Sequence, residues 1–357
     1  MIFRCAPRAS WPGGGPADSA AGAWKGTTVD FHCHRESAPA MEMMQAAAQR
    51  LGRVPLGFGS DLTKEVNRQQ RIDIAPKMQS IEERLADMDR AGVDIQVVSL
   101  SPYQLYYWAD PELGREVARV ANDDLAMAIS AYSDRILGMG TVPLQDTELA
   151  VEELERCVLE LGFRAVELAT NVEGEELSKV RLAPFWARVE ELDVVVFLHS
   201  AGFTHPDRFE EHYFINIIGH PLETTLAAAH LIFDGVMERH PALKIVLPHG
   251  GGYLPAYAAR MEHAYHARRD VREGLPLPPG EYMKRFYFDT VVFEADQLGF
   301  LIDKYGADHV VLGSDYPYDM GDSDPIGVIA RVEGLSRSEA AAIRGGNARR
   351  LLGLDAL

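Results

Sequence analysis

The chain has 357 residues, 47% hydrophobic and 25% charged, which is ample apolar material for a large core and an ordinary polarity for a soluble globule. A formal net charge of −18 argues against a nucleic-acid or anionic-membrane surface. Three cysteines (Cys5, Cys33, Cys157) with no C-x-x-C pair, and no apolar run long enough to span a bilayer, lead us to expect a cytoplasmic protein with free thiols.

Residues 1–27 stand apart. The stretch Pro12-Gly13-Gly14-Gly15-Pro16 and its Ala/Ser surroundings bury too little surface to offset the entropy of ordering, so a flexible or loosely docked N-terminal tail is expected. From residue 28 to 357 apolar, β-branched runs alternate with helical patterns. The predicted strands are Thr27–Phe31, Ile95–Leu100, Ile136–Val142, Ala165–Leu168, Val194–Leu198, Ile245–Leu247, Phe286–Val291 and Val310–Leu312. Helical periodicity covers Ile81–Ala91, Pro111–Ser133, Glu148–Leu161, Thr224–His240 and Ala256–Arg268, among others. This alternation predicts an α/β fold, a (β/α)8 TIM barrel, with an open doubly wound sheet as the competing topology. Residues 36–79 form an insertion after the first strand, helical over Met41–Leu51, expected to lie over the barrel mouth.

Barrel enzymes carry their chemistry at the carboxyl ends of the strands. Strand one ends in Asp30-Phe31-His32-Cys33-His34, and period-two alternation puts both imidazoles on one face with Cys33 on the other. Strand five ends in His199, strand six in His249, strand seven in Asp289, and Asp315 follows strand eight. Several imidazoles with carboxylates suit zinc or manganese better than calcium, which prefers all-oxygen ligation. Other histidines, His220 among them, read as surface or helix residues, and Asp319, Asp322 and Asp324 as a solvated loop.

Taken together, several motifs resemble the amidohydrolase superfamily, in the branch of aminocarboxymuconate-semialdehyde decarboxylase and related aromatic-acid decarboxylases. They are Asp30–His34, Arg84 with Met88-Asp89 and Gly92-Val93, Tyr107-Trp108-Ala109, Gly140–Gln145, His249-Gly250-Gly251-Gly252 with Arg260, Leu312–Pro317 and Gly346-Asn347-Ala348. The resemblance implies that His32, His34, His199 and Asp315 hold one divalent metal, zinc first and manganese second, with an open position for water. It implies that His249 is the acid/base, that Arg84 and Arg260 clamp substrate carboxylates, and that Trp108 lines the pocket. Asp289 would orient a ligand histidine or the water. Arg260 in this branch reaches a neighbouring subunit's site, so a homodimer is expected.

The implied activity is nonoxidative decarboxylation of a small unsaturated or aromatic acid of the aminocarboxymuconate-semialdehyde or hydroxybenzoate type. The alternative is a metal-dependent hydrolase or hydratase of a lactone, amide or enol acid in aromatic-compound degradation. The pattern departs after the strand-five histidine. Proline and tryptophan usually follow there, whereas this chain has Ser200-Ala201-Gly202, which puts the substrate in question.

Overall fold

The computed structural model describes residues 26–51, 59–202 and 208–354. The expected tail therefore lies almost wholly outside the described residues, as does part of the insertion. Eight parallel strands form one sheet in sequential order. They are β1 (Val29–Arg35), β2 (Ile95–Leu100), β3 (Ile136–Gly140), β4 (Ala165–Leu168), β5 (Val195–Leu198), β6 (Lys244–Leu247), β7 (Phe286–Asp289) and β8 (Val310–Val311). The seam closes where Phe31 N–H donates to the Leu312 carbonyl at 2.8 Å and His34 N–H to the Tyr316 carbonyl at 2.7 Å. This is the (β/α)8 barrel the alternation predicts.

Val29, Phe31, Val97, Met139, Ala165, Val195, Phe197, Val246 and Val311 fill the barrel interior, and Ala348, Leu351 and Leu352 belong to the same cluster. A larger layer packs the helices on the outside of the strands. Inward pointing in β1 does not follow strict alternation. Phe31 lies in the interior and packs edge-to-face on Phe197, yet the adjacent His32 ring also meets Phe197. A register shift between Asp30 and Cys33 turns the strand there, and such irregularities re-aim side chains next to sites. Cys33 faces the opposite way, buried with Ile81, Met88 and Val98.

The insertion forms two helices, α1 (Ala38–Arg50), where one was expected, and α2 (Asp61–Gln79), which the sequence pattern did not mark. The polar composition of α2 explains this: only Met78 is buried, so no apolar stripe marks it. α3 (Ile81–Ala91) begins at Ser80, whose hydroxyl accepts the Glu83 N–H, and ends at Gly92 in the left-handed region (φ 69°). α4 (Pro111–Ile129), α5 (Thr147–Leu159) and α6 (Ala183–Glu191) follow in their crossover positions. The helix expected over Thr224–His240 starts earlier, as α7 (His220–Phe233), and breaks at Gly235 (φ 77°). No helix among the described residues is long and apolar enough to cross a membrane.

Candidate metal centre

Five side chains from four strand ends meet at the carboxyl end of the barrel. His32 and His34 come from β1, His199 follows β5, His249 follows β6 and Asp315 follows β8. Asp315 Oδ1 lies 3.3 Å from both His32 Nε2 and His34 Nε2, and those two nitrogens are 3.1 Å apart. The His199 ring sits 5.2 Å from that of His32 and 5.0 Å from that of His34, centroid to centroid. One ligand atom each from His32, His199, His249 and Asp315 lies within 4.8 Å of every other. His249 and Asp315 are both held at positive φ, 55° and 59°, a conformation L-residues adopt at a cost that surrounding structure must offset.

The hydrogen bonds around the cluster decide which nitrogens are available. His32 Nδ1 donates to Asp289 Oδ2 at 2.6 Å, His34 Nδ1 to the Leu100 carbonyl at 3.1 Å, and His199 Nδ1 to the Ser200 carbonyl at 2.9 Å. Each acceptor fixes the tautomer and leaves an Nε2 lone pair for the centre, the arrangement typical of metal-ligating histidines. His199 Nε2 is buried with no hydrogen-bond partner among the described residues. Converging lone pairs and an orphaned buried nitrogen are unfavourable unless a cation sits among them. The residues present therefore fit a divalent metal.

His249 differs in the detail that matters. Its Nε2 stands 3.7 Å from Asp315 Oδ2, but its buried Nδ1 has no partner among the described residues. No acceptor among the described residues holds that Nδ1, and the side chain is 18% exposed where those of His32 and His34 are fully buried.

Charge in this cluster is unevenly placed. Burial works against a charged His32, but Asp315 and Asp289 outweigh it and raise its pKa to about 10. Burial, aided by the positive charge of His32, pulls His34 down, and burial with its histidine neighbours takes His199 well below its ordinary value. Without a metal, one proton therefore resides on His32, and a metal must displace it. Metal uptake near neutral pH is expected to release about one proton, with affinity falling as pH falls. Calorimetric titration of the metal-free protein in buffers of differing ionisation enthalpy measures this; uptake without proton release would contradict it.

Asp289 links His32 to the loop carrying His249. Its Oδ2 holds His32, while its Oδ1 accepts N–H groups from Gly250 at 2.8 Å and Val291 at 3.1 Å. The glycines after His249 serve packing. A Cβ at Gly250 would meet Val292 at 2.4 Å, at Gly251 Phe288 at 2.7 Å, and at Gly252 the Pro221 carbonyl oxygen at 2.2 Å.

Neither arginine expected to clamp a carboxylate lines the cleft of its own chain. Arg84 is fully buried behind β1: its guanidinium donates to the His34 carbonyl and, at 2.9 Å, to Gln96 Oε1, and stacks 4.9 Å over the Tyr316 ring. It holds the backbone of a ligand strand and does not line the cleft, because α3 packs its first turn inward on the barrel wall. Arg260 is exposed on the helix Leu254–Ala267, outside the cleft lining. Trp108 is half-buried, edge-to-face on Tyr106 at 6.2 Å, in a satellite cluster with α1. Ala201 packs against the main core.

Among the described residues the arginine lining the cleft is Arg71, exposed on α2 of the insertion, in one lining with His199, His249 and Asp315. Its only sequence signal was its place in that insertion. Three more groups escaped the sequence reading. Asp30, buried beneath the site, accepts from Ser314 Oγ at 2.6 Å and Gln96 Nε2 at 3.0 Å, tying β1 to the turn that carries Asp315; burial, outweighing these bonds, raises its pKa to about 6. Glu167, a carboxyl inside the apolar strand β4, lies 3.9 Å from His34 Nδ1, and burial pushes its pKa well up. His220, expected on a surface, is buried and lines the cleft. The aspartates after residue 318 are not a solvated loop either. Asp319 lines the cleft, Asp322 is 5% exposed, and Asp324 caps the helix Pro325–Ala330 by accepting the Gly327 N–H at 3.0 Å.

A family model described as Amidohydrolase matches residues 29–354. The chain belongs to the amidohydrolase family. Among its relatives is the 2-amino-3-carboxymuconate-6-semialdehyde decarboxylase of Dictyostelium discoideum, 37% identical over 273 residues, covering 76% of each chain. A gamma-resorcylate decarboxylase of a Polaromonas species is 30% identical over 320 residues, covering 84% of this chain and 93% of that one. A solved dihydroxybenzoic acid decarboxylase from Polaromonas, with manganese and the inhibitor 2-nitroresorcinol bound, superposes with a TM-score of 0.77 at 26% identity, covering 93% of this chain and 98% of its own.

Proposed function

We propose that this protein is a metal-dependent, nonoxidative decarboxylase of a small unsaturated or aromatic carboxylic acid. The observation that carries the reading is the set of three tautomer-fixed imidazoles and Asp315 under a cleft that Arg71 enters, with His249 beside them but not locked as they are. The relatives named for muconate-semialdehyde and resorcylate decarboxylation support the substrate class.

His32, His34, His199 and Asp315 would hold the metal, with zinc the first choice and manganese, present in the Polaromonas neighbour, the second. When bound, such an ion supplies Lewis acidity that polarises a ligand oxygen and acidifies coordinated water. Arg71 binds a substrate carboxylate through its planar fork of donors and so orients the conjugated system over the floor of the cleft. His249 delivers a proton from its imidazole to the carbon bearing the scissile carboxylate. Breaking the carbon–carboxylate bond then leaves its electron pair in the ring or diene, which restores conjugation as carbon dioxide departs. No oxidant takes part, since the electron pair that leaves the carboxylate replaces the one used to bind the proton. Asp289 keeps the His32 ring and the loop carrying His249 in fixed relation throughout. In the same reading Arg260, exposed on its helix, serves the cleft of a second subunit in a homodimer.

An Arg71→Met protein is expected to keep its metal and fold but to need more substrate. A hydrogen bond to a charged group is worth about 1.5–3 kcal/mol, so KM should rise roughly 10- to 100-fold with a smaller change in kcat. Steady-state kinetics on a panel of muconate-type and hydroxybenzoic acids, following carbon dioxide, tests both the class and the residue. Turnover of a lactone, amide or enol acid without carbon dioxide would instead establish the hydrolase or hydratase reading.

A further inference from the structure

His220 faces the cleft and has no part in the chemistry above. It is 7% exposed, its ring lies 6.4 Å from that of His199, and its buried Nε2 has no hydrogen-bond partner among the described residues. The ligand atoms gathered within 4.8 Å of one another belong to His32, His199, His249 and Asp315 and do not include it.

Its position is built. A π-helical turn, Ile215–Gly219, precedes it, and such turns displace side chains from the helical path at functional sites. Pro221 follows it in the first turn of α7, and its carbonyl is the oxygen that Gly252 (φ 62°) approaches so closely that a Cβ would stand 2.2 Å away. Thr225 Oγ1 donates to that carbonyl at 2.7 Å and accepts the Tyr253 N–H at 2.9 Å. The glycine-rich loop carrying His249 is thus clasped to the turn carrying His220, and the two imidazoles share one rigid wall.

We infer that His220 is a substrate-binding residue whose Nε2 hydrogen-bonds a neutral hydroxyl or amino group on the carbon adjacent to the one bearing the scissile carboxylate. An imidazole whose buried Nε2 has no partner among the described residues can donate to or accept from such a group, whereas the carboxylate itself calls for a cation and is served by Arg71. The proximity of His220 to His199 and His249 puts the recognised group beside the reacting carbon. An ortho-substituted acid is therefore selected over its unsubstituted parent. This rests on the carboxylic-acid reading of the cleft given above.

The test is calorimetric binding of two simple acids, 2-hydroxybenzoate and benzoate, to the metal-replete protein. The wild type is expected to prefer 2-hydroxybenzoate by roughly three- to tenfold, the worth of one ordinary hydrogen bond. His220→Phe should abolish that preference at unchanged metal content, and His220→Asn, which keeps a hydrogen-bonding amide and is the fallback if the phenylalanine variant does not fold, should retain part of it. Arg71→Met should weaken both acids alike. An undiminished preference in a folded His220 variant overturns the inference while leaving the decarboxylase reading intact. Loss of metal from these variants would make His220 a ligand and overturns it as well. Failure of the wild type to bind either acid contradicts the carboxylate reading itself, and this inference with it.

Discussion

A His249→Ala protein is expected to lose turnover by about 10²- to 10⁴-fold, the usual worth of a positioned acid or base, while its metal content stays at the wild-type level. The distinction follows from hydrogen bonding. Each of His32, His34 and His199 spends Nδ1 on a fixed acceptor and turns Nε2 inward, whereas buried Nδ1 of His249 has no such acceptor among the described residues. A histidine free to change tautomer can take a proton on one nitrogen and pass it from the other. Metal analysis alongside kcat separates the possibilities. Activity lost together with metal would make His249 a fifth ligand, and activity retained would remove it from the chemistry.

A His32→Ala protein is expected to be metal-free after desalting and inactive. His32 is the most heavily engaged of the ligands: Nδ1 is held by Asp289 and Nε2 lies 3.3 Å from Asp315 Oδ1, with His34 and His199 packed edge-on to its ring. Removing it leaves Asp289 and Asp315 buried without their principal counter-group, a costly arrangement in itself. The effect is also readable without activity. A site filled at about 100 times its dissociation constant adds about 2.7 kcal/mol to wild-type stability, so added metal should raise the wild-type melting temperature and leave that of His32→Ala unchanged. A full complement of metal in the variant would sink the proposed centre.

Much of this site is legible in the chain because barrels put chemistry at strand ends. Apolar runs that stop on a polar titratable residue, such as Val194–Leu198 before His199 or Phe286–Phe288 before Asp289, point straight to positions the fold brings together. The pairing of His32 with His34 was readable from period two, but the bulge that also turns Phe31 inward was not, because a register shift leaves no residue pattern of its own.

Arg84 and Arg71 show where such reading stops. Both are arginines on helices beside the first strand. Arg84 is drawn under the barrel wall by the buried apolar residues Ile81 and Met88 of its own helix, so its guanidinium meets carbonyls and not a ligand. Arg71 sits on a helix with one buried residue, whose lie over the mouth depends on tertiary contacts that periodicity does not encode. His220 was hidden in the same way, since a π-helical turn and a proline place it and neither alters the composition around it.

The measurement closest to the central claim is product analysis after metal-replete protein turns over a hydroxybenzoic or muconate-type acid in deuterium oxide. The account predicts carbon dioxide equal in amount to substrate consumed, with one deuterium on the carbon that lost its carboxylate, and at least about 100-fold slower formation of both by His249→Ala. Consumption of substrate with its carboxylate retained, or product that carries solvent oxygen in place of deuterium, would contradict it.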